Sequence, residues 1–294
     1  MMNRKLQIPE RFRKKVGVDY LSISGFDTGA VAAELDTTQR YELHIQSVLG
    51  NILTKDDVFL DIGANVGMHT VFASKFAKEV IAIEPSEKTF EHLLKTVEIN
   101  NCDNVSCHNI GLWDKDETRL FYHLPKSAGS SHFTIDYHES NAIKNDVEVR
   151  RLDNLELPHI DVVKLDVEGV EKFVLKGGKK LFNECPTLFI ELNPSACQNH
   201  TGENIMATIH QIMSFGYSTE AIYYARRWKS NTTPGYTWER TNLGGLIKEL
   251  SLTCHTDVIF MTDEKIVPFP SPRRFLNCFT ARHPYKKLER KNDE

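Results

Sequence analysis

One stretch constrains the chain more than any other. The apolar run Val58-Phe59-Leu60 ends in Asp61 and then breaks at Gly63 and Gly67, with a helix-like segment, Thr70 to Lys78, directly behind. Strand, tight turn and helix start in that order open a doubly wound α/β domain. Glycine lets the backbone bend sharply and approach a ligand closely, because no Cβ intervenes. The helix start adds free N–H donors and partial positive charge.

Spacing narrows the ligand. A dinucleotide loop reads G-x-G-x-x-G. Here Asn65 stands where the second glycine would be and Met68 where the third would be. A pyrophosphate needs that close approach, so a nicotinamide cofactor is disfavoured. A second short apolar run, residues 80–83, ends in Glu84 and Pro85. An acid at the end of the second strand, roughly 20 residues past the glycine loop, can accept hydrogen bonds from ribose hydroxyls. Pro85 turns the chain off the sheet, and Ser86 caps a helix expected from Glu87 to Asn100.

Composition sets outer bounds. With 40% hydrophobic and 26% charged residues over 294 positions, the chain reads as globular. No apolar run approaches the roughly 20 residues needed to cross a bilayer. Six cysteines lack C-x-x-C spacing, which argues against a zinc site or a disulfide framework and for reduced thiols in a cytoplasmic protein. The net charge of −4 is uneven: residues 1–15 hold six Lys/Arg against one acid, and 268–294 hold seven against three. Such basic ends suit solvated termini. The acidic body between them disfavours a large nucleic-acid face.

In chain order, Arg4 to Lys15 reads as a basic helix, Tyr20 to Ser24 as a strand, Gly25 to Gly29 as loop, and Gln39 to Leu53 as a helix positioned to cover a ligand, with His44 structural. Residues 104–114 read as a third parallel strand, with backbone at Gly111 and Leu112 placed to meet an adenine edge. Two alternating stretches, 118–123 and 147–152, suggest a small antiparallel excursion. The Ser/Gly-rich loop 127–132 between them either approaches a bound substrate or is a flexible surface loop. In Ile160 to Glu171, Lys164 and Asp166 share one face of a strand that must emerge at a polar site, since Lys and Asp are rarely buried unpaired. A helix from Val170 to Phe182, a strand at 186–194, a helix from Asn204 to Phe215 and a last strand at 256–262 follow. Residues 226–250 read as irregular, a lid or acceptor loop.

Together, DIGANVG (61–67), Glu84-Pro85, KLDVEGVEKFVLKGG (164–178), FIELNP (189–194) and TDVIFM (256–261) resemble the FkbM family of S-adenosylmethionine-dependent methyltransferases. The resemblance implies a Rossmann-like, class I methyltransferase fold, α/β and doubly wound, with seven strands in the order 3-2-1-4-5-7-6, helices on both faces and only the seventh strand antiparallel. It divides the chain into a lead-in with a covering helix (1–50), a methyltransferase domain (51–267) and a basic tail (268–294). It implies S-adenosyl-L-methionine as cofactor, held by Asp61 (beside its amino group), Gly63, Ala64, Asn65, Gly67, Glu84, Gly111 and Leu112. It implies O-methylation of a hydroxyl on a sugar, glycan intermediate or small molecule, with no nucleic acid. Asp166 or Glu168 would accept the hydroxyl proton and Lys164 would orient the carboxylate. Asp166, Glu191 and Asn193 form an alternative Mg²⁺ set. The rival functions are an RNA ribose methyltransferase and a binding protein that keeps the fold without the chemistry.

Overall fold

The structure, a computed structural model, describes residues 3–25, 30–123, 133, 143–228, 235–253 and 255–263. Its centre is β3 (Val58–Ile62), in which every residue is buried. A parallel strand covered on both faces reads as a largely apolar run, and β4 (Glu79–Ile83), β9 (Val162–Leu165) and β10 (Thr187–Leu192) are likewise buried except at Glu79 and Glu191. With β5 (Val105–His108), β11 (Ile222–Trp228), β12 (Gly235–Thr241) and β13 (Thr256–Met261) they form one sheet, ordered β12-β11-β13-β10-β9-β3-β4-β5. Strands β5, β4, β3, β9 and β10 are mutually parallel, and β13 runs antiparallel to β10 and β11.

The expected seven-strand count is therefore corrected to eight, because β12 adds an antiparallel edge beyond β11. That strand lies in the stretch read as irregular, which instead builds the end of β11, β12 and helix α10 (Leu243–Leu250); residues 229–234 lie outside the described set. Tyr236 and Trp238 alternate with polar residues along β12. Trp238 is 3% exposed, edge-on to Phe189 at 5.6 Å between ring centroids. Burial of those rings holds the strand in place. Asn242 ends it and caps α10 by accepting from Gly245 N–H at 2.9 Å.

Helices α3 (Leu43–Ile52) and α4 (Met68–Ala73) cover one face of the sheet with α5 (Glu87–Ile99) beside α4. The other face carries α6 (Glu171–Gly177), α7 (Lys179–Glu184), α8 (Pro194–Thr201) and α9 (Ile205–Met213). The single helix expected over 170–182 is broken at Gly178. At Gly177 a Cβ would lie 2.0 Å from the Trp113 carbonyl oxygen, so this turn packs backbone to backbone. The α4 helix is shorter than the expected 70–78, and α3 starts late because Gln39 and Glu42 take positive φ.

The lead-in is not all helix up to Lys15. Residues β1 (Asn3–Gln7) and β2 (Tyr20–Ser24) form an antiparallel hairpin around α1 (Glu10–Val16), followed by α2 (Ala30–Thr38). Strand alternation turns Arg4 and Leu6 inward, and Arg4 pairs with Asp36 at 2.8 Å. Leu6, Ile8, Phe12, Leu21 and Ile23 share one core with Phe59, Phe72 and Phe76, so the 50/51 boundary falls inside a packed unit. Residues 111 and 112, expected at the end of the third strand, form β6 (Gly111–Leu112). It belongs to a separate three-stranded sheet with β7 (Glu117–His123) and β8 (Ile143–Arg150), the antiparallel excursion. The loop 127–132 and the tail 268–294 lie outside the described residues. Among the described residues no helix is long and apolar enough to cross a membrane.

Candidate active site

The C-terminal ends of β3, β4 and β9 converge on a cleft of about 1020 Å³, counting its solvent-open mouth. The loop after β3 has three left-handed residues, Gly63 (φ 80°), Asn65 (φ 53°) and Gly67 (φ 88°). Gly63 has no substitute: a Cβ there would lie 1.9 Å from the Asp166 carbonyl oxygen. The N–H groups of Gly63 and Ala64 both donate to the Ile83 carbonyl at 3.0 Å. Asn65 N–H donates to Glu84 Oε2 at 3.0 Å, and Ser86 N–H to Glu84 Oε1 at 2.9 Å. Glu84 thus ties the glycine loop to the second strand and presents its carboxyl at the cleft wall. Burial pushes that carboxyl up to about 7, against the two N–H bonds and with help from Asp61 and Asp166.

The opposite wall comes from β9 and its turn. Lys164 is 2% exposed and donates to Asp166 Oδ2 at 2.9 Å. Burial opposes its charge, but Asp166, Asp61 and Glu42 together hold the ammonium above its ordinary value. The following turn places Glu168 in the left-handed region (φ 58°) and Gly169 beyond it (φ 95°), where a Cβ would lie 2.6 Å from the Ala196 backbone. Two groups lock the turn. Glu171 Oε1 accepts from Gly169 N–H at 2.9 Å, and His200 Nδ1 lies 2.6 Å from the Glu168 carbonyl. Burial pushes the Glu171 carboxyl up to about 7 and drives Glu168 and Glu191 up as well, with Asp166 the leading neighbouring charge on both.

A family model described as the methyltransferase FkbM domain matches residues 61–218, more than half of the chain. The chain belongs to the FkbM methyltransferase family. It is 28% identical to methyltransferase 1 of Beauveria bassiana over 147 residues, which is 42% of this chain and 59% of that protein. It is 30% identical to the hexuronic acid methyltransferase AglP of Haloferax volcanii over 139 residues, 47% of this chain and 57% of that protein. The chain thus spans between a half and two-thirds of the length of these curated relatives. Among solved structures, a methyltransferase FkbM from Methylobacillus flagellatus KT superposes with a TM-score of 0.44 at 17% identity, over 71% of this chain and 44% of that one.

On this FkbM domain the residues singled out from sequence sort into two groups. Gly63, Ala64, Asn65, Glu84, Gly111, Leu112, Lys164, Asp166 and Glu168 all line the cleft. Asp61 and Gly67 are set back from it. Asp61 is 1% exposed, accepts from Thr70 Oγ1 at 2.7 Å through Oδ2, and keeps Oδ1 buried with no hydrogen-bond partner among the described residues. Gly67 packs under α5, where a Cβ would lie 2.7 Å from Leu93 Cδ1. Asn193 is engaged in capping α8, accepting from Ala196 N–H at 2.9 Å.

Sequence reading missed Glu42, His69 and Phe133, and offered Glu191 only as an alternative Mg²⁺ ligand. Glu42 and His69 line the cleft and pair at 2.8 Å. Glu191 lines it too, from β10, in register with Asp257. Phe133 joins Phe121 as an aromatic wall, with ring centroids 4.7 Å apart. His44, expected to be structural, is buried, pairs with Asp257 at 2.8 Å and stacks on Tyr236 at 4.3 Å.

Proposed function

We propose that this chain is an S-adenosylmethionine-dependent O-methyltransferase acting on a hydroxyl of a carbohydrate or small-molecule acceptor. The observation that carries the reading is Glu84, fixed at the cleft wall by the Asn65 and Ser86 N–H groups. An acid so placed suits the paired hydroxyls of a ribose. Ile110, Leu112, Phe121 and Phe133 offer an apolar wall for an adenine, and Gly63, Ala64, Asn65 and Gly111 line the space between. Asp61 and Gly67 then act from behind, by holding the loop's shape. The donor set therefore fits a sulfonium nucleoside.

Bound there, the cofactor supplies a methyl group on an electron-poor sulfur. The chain's own residues have to align the acceptor oxygen and take its proton, because an alcohol is a weak nucleophile and positioning carries much of the rate. Asp166 is the proton acceptor in this reading. Lys164 orients its carboxylate through the 2.9 Å hydrogen bond. Glu168 also lines the cleft, and burial pushes its carboxyl up, towards the form that can donate a hydrogen bond. The relative named for hexuronic acid methylation supports a sugar acceptor.

Calorimetry with S-adenosylmethionine, S-adenosylhomocysteine and NAD tests the cofactor: the first two bind and the third does not. Transfer of a tritiated methyl group onto glycan, small-molecule and RNA fractions run side by side tests the acceptor. Labelling of the RNA fraction alone overturns the assignment.

A further inference from the structure

The cleft is completed by a residue outside the family-matched segment. Glu42 stands at the N-terminal mouth of α3, nineteen positions before residue 61, with φ 40°. Left-handed backbone is costly for a side chain with a Cβ, and such strain concentrates where a group must be presented in one direction. Its carboxylate accepts from or pairs with His69 Nε2 at 2.8 Å through Oε2 and keeps about a third of its side-chain surface (32%) open. No hydrogen bond to Oε1 is formed among the described residues. His69 is the second residue of α4, so the pair sits directly over the glycine loop. The other ring nitrogen of His69, Nδ1, is buried with no hydrogen-bond partner among the described residues.

Resting on the cofactor reading above, the amino-acid end of the ligand lies against this loop and needs an anion for its ammonium. Asp61 is sealed beneath Thr70 and does not reach the cleft. We propose that Glu42 is a cofactor-binding residue whose carboxylate takes the α-ammonium group of S-adenosylmethionine, with His69 fixing its direction. Its electrostatics agree. Burial alone would raise the Glu42 carboxyl, yet the His69 bond and the charges of His69, His44 and Lys164 hold it below the usual range. Glu84, Glu168 and Glu191 in the same cleft are all pushed the other way. Glu42 is thus the cleft glutamate that remains an anion across neutral pH.

The test uses the full chain and two ligands: S-adenosylhomocysteine, and 5′-methylthioadenosine, which keeps the nucleoside and thioether but lacks the amino acid. Two variants guard against misfolding. Glu42→Gln is isosteric, and Glu42→Gly suits the left-handed backbone, so its melting temperature should not fall. A lost charge-assisted hydrogen bond weakens S-adenosylhomocysteine by about 10- to 100-fold in both variants, while 5′-methylthioadenosine binds as it does to the wild type. Unchanged S-adenosylhomocysteine affinity, or equal losses for both ligands, overturns the assignment. If the wild type binds neither ligand, the cofactor reading itself fails and this one goes with it.

Discussion

Replacing Glu171 by Gln should make the protein more stable at alkaline pH and leave the turn it holds intact. Glu171 is 2% exposed, and its Oε1 accepts from Gly169 N–H at 2.9 Å. The Gln carbonyl can accept the same bond. What the substitution removes is ionisation. Burial lifts the folded carboxyl from 4.5 to about 7, which costs the fold about 3 kcal/mol once the group is charged, at roughly 1.4 kcal/mol per pH unit. The folded state holds this proton more tightly than the unfolded state. The stabilisation is therefore complete below the unfolded value and is lost as pH rises through about 7. Urea unfolding of both proteins from about pH 5 to about pH 9, followed by far-UV circular dichroism, reads the effect. The stability of the Gln variant relative to wild type should climb by about 3 kcal/mol across that range. Glu84 titrates in both proteins and cancels. A difference that stays flat, or that falls with pH, refutes the reasoning: it would mean the N–H bonds outweigh burial and the carboxylate is the form the turn prefers.

The remaining expectations concern the chemistry. Asp166→Ala should leave S-adenosylhomocysteine affinity nearly intact in calorimetry but cut methyl transfer by roughly 10²-fold or more; unchanged turnover would make Asp166 structural only. Because Glu84 titrates at about 7, S-adenosylhomocysteine affinity should fall as pH drops below neutrality, where the carboxylate that receives ribose hydroxyls takes up a proton. Glu84→Gln should flatten that dependence.

How much of this was legible in the sequence depended on how local the signal was. The β3–loop–α4 unit is contiguous, so its glycines and Glu84 could be read from spacing. Lys164 and Asp166 were legible because charges closing an apolar strand demand a polar destination. Glu42 was not: the helix is expected to cover the ligand, but residue 42 reads as part of it, and the left-handed turn that puts Glu42 before α3 is rare for glutamate. Glu191 reads as a strand-end acid and as one of an alternative Mg²⁺ set. Its place in the cleft arises from the pairing of β10 with β9, a neighbourhood set by sheet order. The β12 strand had a readable trace, Tyr236 and Trp238 at period two, but Gly, Asn and Arg around it mask an edge strand as loop. The change of backbone hand at Glu168 left no trace, since glutamate rarely takes that conformation and the lock comes from Glu171 and from His200 on another helix.

The acids of the cleft also make a claim about the cofactor's charge. Glu84, Glu168 and Glu191 are pushed towards their neutral forms by burial and by the neighbouring Asp166, with Lys164 the ammonium among the described lining residues. A cation entering such a site favours the ionised forms and draws those carboxyls down, so they release protons. S-adenosylmethionine brings a sulfonium charge that S-adenosylhomocysteine lacks, while both share the nucleoside and the amino-acid end. The sulfonium ligand should therefore release more protons on binding, and by linkage its affinity relative to S-adenosylhomocysteine should rise with pH. Calorimetry of each ligand in two buffers of different ionisation enthalpy counts the protons directly. Equal proton counts for the two ligands would mean that the acids do not sense the sulfur, and that the cleft's negative lining serves the acceptor side instead.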